Sequence, residues 1–130
     1  MWYFTFFLLI AVIAAIPWWL ESRRQKIGKA ARKNAAGKFV KLRRGVTHYQ
    51  WSGSVRGPVA VLIHGLNTPS AVCDEVGEGI GMLGYRVLTY DLYGRGLSDA
   101  PRGPQDAAFF VDQLSELLEN QGIEEEITLV

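Results

Sequence analysis

The chain has 130 residues, 48% of them hydrophobic, and a formal net charge of +1, so it can build at most one small core domain once any membrane segment is set aside. The near-neutral total conceals two blocks: residues 21–44 carry ten Lys/Arg against one acid, and residues 45–130 carry four Arg against twelve acids. Cys73 is the only cysteine and His48 and His64 are the only histidines, which excludes an internal disulfide and a cysteine-built zinc cluster and leaves a histidine metal site short of ligands.

Residues 2–20 contain no charged side chain, and Thr5 is the one clearly polar residue among them. As a helix this run spans about 29 Å, close to the hydrocarbon thickness of a bilayer. Trp2, Tyr3 and Phe4 flank one end and Trp18 and Trp19 the other, where interfacial aromatics sit. A single-pass transmembrane anchor over 2–20 is therefore expected. A cleaved secretory leader is the competing reading, but no basic residue precedes the apolar run and no clear small-x-small site follows it. A buried globular helix is a third. The positive charge lies after the span and none before it, which places the C-terminal part in the cytoplasm. Residues 21–37 form a basic juxtamembrane linker or a short helix on the membrane, with about 1 kcal/mol per near-surface charge available from anionic headgroups. A topology determinant with no specific ligand is the favoured reading of the charge. No aromatic interleaving accompanies it, so no nucleic-acid partner is expected.

From residue 38 the pattern turns to alternation. Residues 39–42 and 46–51, separated by Arg44 and Gly45, predict an antiparallel hairpin. Residues 59–63 form a continuous apolar run, as in a strand buried on both faces. Residues 70–83 read as a helix with Val72, Val76, Ile80 and Leu83 on its packed face and Gly84 as its stop. Residues 86–90 are a second buried strand ending at Asp91. Residues 105–120 read as a helix with Phe110, Leu114, Leu117 and Leu118 as its apolar stripe, followed by the strand-like run 127–130. The order β-β-β-α-β-α-β predicts an α/β fold with a mostly parallel, doubly wound sheet and an antiparallel start.

Two motifs at the right separation resemble the α/β-hydrolase superfamily. The first is the strand ending in His64, Gly65 and Leu66, within VAVLIHGLN. The second is the loop after the next strand, DLYGRGLSD, which carries Asp91, Gly94, Gly96, Ser98 and Asp99. The resemblance covers about residues 39–130. It implies that the Leu66 backbone N–H, supported by His64 and Gly65, donates to the oxyanion of an acyl transfer, a contact worth about 2.7–4 kcal/mol of transition-state stabilisation. It also implies that His64 is a structural residue rather than the triad histidine, because the triad order in this fold is Ser, acid, His. Asp91 and Ser98, with Gly94 and Gly96, are expected to bond loop backbone rather than to act in catalysis. His48 is expected to be a surface or packing residue.

Two decoys are set aside. Ser98 lies in a nucleophile-elbow-like stretch but well past its strand, with Pro101 close behind. The glycines at 79, 81 and 84 satisfy G-x-G-x-x-G but end a helix instead of opening one. No G-x-S-x-G occurs in the chain. In the resembled family it follows a strand such as 127–130, so the chain is expected to be the N-terminal part of a longer hydrolase, with nucleophile, acid and catalytic histidine after Val130. The expected intact activity is ester or acyl-bond hydrolysis on a small-molecule or lipid-like substrate, without cofactor or metal. An Asp-nucleophile member of epoxide-hydrolase or dehalogenase type, and a non-catalytic membrane-anchored binding module, are the alternatives. The oligomeric state is left open.

Overall fold

The computed structural model of the chain describes the backbone of residues 2–22, 29–68 and 70–130, and side chains within these except at 2–4, 21, 29 and 30. The elements are α1 (Trp2–Ser22), α2 (Lys29–Lys33), β1 (Lys38–Lys41), β2 (Val46–Gly53), β3 (Val59–Leu62), a 3-10 turn (Ser70–Cys73) leading into α3 (Asp74–Met82), β4 (Arg86–Tyr90), α4 (Ala107–Asn120) and β5 (Ile127–Leu129). The strands form one sheet in the order β1-β2-β4-β3-β5. β1, β2 and β4 pair antiparallel, with Phe39 opposite His48 and Tyr49 opposite Tyr90. β4, β3 and β5 run parallel, with Val61 beside both Leu88 and Leu129.

The period-2 alternation of strands divides the core between two faces. Val59, Val61, Leu88 and Tyr90 pack with Leu117 of α4 and with its partly buried Phe110, Leu114 and Leu118. Ala60, Leu62 and Val87 face the other way, against Cys73 and Ile80. One helix covers each face, so the sheet is doubly wound as expected. Asp106 opens α4 by accepting a hydrogen bond from the Phe109 N–H (2.9 Å), an N-cap worth about 1 kcal/mol that starts the helix two residues later than the hydropathy pattern places it.

Two expectations need correction here. Val72, Val76 and Leu83 do not pack: Val76 is 51% and Leu83 78% exposed. α3 instead buries Gly77 and lies so near β2 that a Cβ on Gly81 would stand 2.7 Å from the Gly53 Cα. Close approach selects glycine, which hydropathy does not count as core. The second concerns the anchor over 2–20. α1 does form as a helix with exposed apolar side chains. Among the described residues, however, no helix is long and apolar enough to cross a membrane, so the span is not confirmed. Of the basic linker over 21–37, residues 23–28 lie outside the described residues. Arg32, beyond them, is bonded to the loop after β4 and does not belong to a free linker.

Candidate functional site

The parallel strands β3 and β4 end side by side, and the loops that leave them meet at the sheet's C-terminal edge. Sheets of this type bind ligands there. Asp91 is the hub. It is 2% exposed. Its Oδ1 accepts from the Ser70 N–H (2.9 Å) and its Oδ2 from the Leu97 N–H (2.9 Å). Oδ2 also meets His48 Nδ1 at 2.8 Å. The Asp91 carbonyl takes the Ser98 hydroxyl (2.6 Å) and Gln113 Nε2 (3.1 Å). Gly96 holds φ +49°, and a side chain on it would run into the Asp91 carboxylate. Glycine at 96 is therefore a condition of Asp91 being bonded at all.

Of the two readings of His48, surface or packing, the structure has the second: its ring centroid lies 4.9 Å from that of Phe39. His48 is buried, and its Nδ1 faces the Asp91 carboxylate while its Nε2 faces the Ala36 carbonyl at 2.7 Å. Both partners only accept, which assigns a proton to each ring nitrogen and makes the ring an imidazolium. The Asp91 hydrogen bond raises the His48 pKa most, burial opposes it, and the Ala36 carbonyl adds to the rise. Burial pushes the Asp91 carboxyl up, but the His48 bond and the Leu97 and Ser70 contacts together hold it well below the usual carboxylate range. The backbone joins the same pair of segments, because the His48 N–H donates to Ser98 Oγ (3.0 Å) and its carbonyl accepts the Asp91 N–H (2.9 Å).

His64 has the opposite protonation. Its Nδ1 faces the Gly65 carbonyl (2.8 Å), and its Nε2 accepts the Leu92 N–H (2.9 Å). These partners assign a neutral ring with its proton on Nδ1. The ring ties the end of β3 to the residue after Asp91. The Gly65 carbonyl is further engaged by Thr68, through its N–H (3.2 Å) and its hydroxyl (3.3 Å). A trans peptide points its N–H opposite its carbonyl. Three donors on the Gly65 oxygen therefore aim the Leu66 N–H away from them, and among the described residues it finds no acceptor. Leu66 itself is 55% exposed. A Cβ on Gly65 would touch only Thr68 Oγ1, at 3.5 Å, and Gly65 has no positive φ. Nothing within the described residues requires glycine there.

α2 is fastened to the same loop. Arg32 Nη2 reaches Asp99 Oδ1 (2.6 Å), and its Nε donates to the Leu97 carbonyl (3.0 Å). The Asp99 carboxyl is pushed up by burial, then held below its ordinary value by the Val46 N–H and Arg32. Gln113, buried on α4, donates to Thr47 Oγ1 (3.0 Å) and accepts the Tyr93 N–H (2.9 Å). Sequence reading missed it, since a polar residue inside an apolar stripe is its only signal. Among the described residues no group of three His, Cys, Asp or Glu could hold a metal ion.

Solved structures share this fold. No family model matches the sequence, and no curated protein matches it either. An esterase from Exiguobacterium antarcticum superposes with a TM-score of 0.64 at 23% identity, over 72% of this chain and 34% of its own. A bromoperoxidase from Bacillus anthracis gives 0.64 at 28% identity, over 72% and 34%. An epoxide hydrolase from Vigna radiata gives 0.63 at 22%, over 71% and 30%. The chain thus spans about a third of the length of these structures. It carries a partial α/β-hydrolase fold.

Proposed function

We propose that this chain supplies the oxyanion side of a hydrolase that cleaves ester or related acyl bonds by nucleophilic attack, with the nucleophile, acid and base on residues after 130. The observation that carries the reading is the Leu66 N–H, aimed outward by the triply engaged Gly65 carbonyl at the edge where such sheets bind ligands. The solved structures that share the fold are an esterase and an epoxide hydrolase among others, which supports hydrolysis as the class and leaves serine or aspartate as the nucleophile. We propose further that α1 tethers the protein to a membrane as a single-pass anchor with the hydrolase part in the cytoplasm. Its uncharged run and the basic residues after it support that reading.

The test is the coding sequence beyond residue 130 together with the activity of the longer product. A G-x-S-x-G or G-x-D-x-G turn directly after β5 is expected. With serine there, turnover of an activated ester should be blocked by a serine-directed phosphonate, while residues 1–130 alone show none. A continuation without such a turn would contradict the hydrolase reading.

A further inference from the structure

The charges at the sheet's C-terminal edge pair off with one left over. His48 meets Asp91, and Arg32 meets Asp99. The third cation, Arg95, has no acid: among the described residues no ion pair includes it. It is held by neutral acceptors only. Its Nε donates to the Leu66 carbonyl, and its Nη1 to the Tyr93 carbonyl (3.2 Å) and to Gln105 Oε1 (2.8 Å). Those three bonds occupy Nε–H and both hydrogens of Nη1. They fix the guanidinium plane and leave both hydrogens of Nη2 without an acceptor among the described residues. A planar, permanently charged fork fixed in this way binds a carboxylate with little further loss of side-chain freedom.

Its place gives the charge a purpose. The residue whose carbonyl Arg95 grips is the one whose N–H is left without an acceptor among the described residues, so the guanidinium is tied to that residue. Clamping the loop would need only the hydrogen bonds, which a neutral side chain could make. An uncompensated cation beside the free N–H adds attraction for an anion. We propose that Arg95 Nη2 and the Leu66 N–H form one composite subsite, and that the site selects acyl substrates carrying a carboxylate a few bonds from the carbonyl to be attacked. This rests on the oxyanion reading of Leu66 and names the substrate class for it.

The test uses the full 130-residue chain in neutral nanodiscs, with nuclear magnetic resonance of the Arg95 Nε–H and the Leu66 amide during titration. The probes are monomethyl succinate and its uncharged amide analogue. The acid should shift both signals in a saturable, salt-sensitive way, and the amide should bind about ten- to a hundredfold more weakly, as loss of a charge-assisted hydrogen bond implies. Arg95→Gln should abolish the preference for the acid and Arg95→Lys should keep part of it, with an unshifted Leu97 amide showing that the loop stays folded. Equal binding of acid and amide, or an unchanged preference in Arg95→Gln, would overturn the proposal. A Leu66 shift that leaves Arg95 unmoved would overturn the substrate class and spare the oxyanion reading. Hydrolysis by the longer protein is a separate measurement: its absence would remove the hydrolase reading while anion binding at Arg95 still stood.

Discussion

The two loops at the sheet's C-terminal edge leave neighbouring parallel strands and meet opposite fates. In residues 91–99 the carboxylates and the Ser98 hydroxyl are bonded, within the loop and to neighbouring segments. Asp91 is bonded through both carboxylate oxygens and its carbonyl, Asp99 binds Val46 and Arg32, and Ser98 both donates and accepts. In residues 64–68 the bonding is gathered on one oxygen, that of Gly65, and the Leu66 N–H of the same peptide is left without an acceptor among the described residues. Saturation marks a loop that holds shape. A backbone donor aimed outward by such bonds is available to an outside atom.

Asp91→Ala attacks the saturated loop hardest. It strands the His48 imidazolium and the Ser70 and Leu97 amides in the interior, and breaking a buried charge pair costs about 3–5 kcal/mol. Denaturant unfolding of the 130-residue chain should show a loss of that size. A loss comparable to that of a surface substitution would mean that the loop does not depend on its hub.

His48→Gln takes a smaller share, about 1–3 kcal/mol, and its signature is the pH dependence. Folding raises the His48 pKa above 6.5, so its contribution is complete below 6.5 and fades as pH rises through the raised folded value. Folding lowers the Asp91 pKa below 3.8, so that contribution is complete above 3.8 and fades as pH falls through the lowered one. Stability from the pair therefore has its plateau between 3.8 and 6.5. The alkaline decline should flatten in His48→Gln. An unchanged decline would place the titrating group elsewhere.

Much of this was legible in the residues, for identifiable reasons. Residues 86–90 alternate nothing and are apolar throughout except for Arg86 and Thr89, and they form a strand buried on both faces. The His64-Gly65 and DLYGRGLSD motifs fall at the ends of adjacent strands because one helix separates them. What could not be read was partnership across the chain. A histidine on a period-2 strand gives no sign of an aspartate 43 positions later, and Arg32 in a basic run gives none of Asp99. The packed face of α3 was misread because Gly77 and Gly81, which hydropathy ignores, are what fit against β2.

Leu66 should be the least sensitive of these positions to side-chain truncation. It is 55% exposed, and Leu66→Ala should change stability by no more than about 0.5 kcal/mol, since only its backbone is used. Its amide offers the most direct single measurement of the oxyanion role. Residue-resolved hydrogen exchange on the 130-residue chain should find the Leu66 N–H exchanging near the unprotected rate while the Leu92 and Leu97 N–H groups, bonded to His64 and Asp91, are strongly protected. A Leu66 amide as protected as those two would show that its donor is already spent, and the oxyanion reading would fall with it.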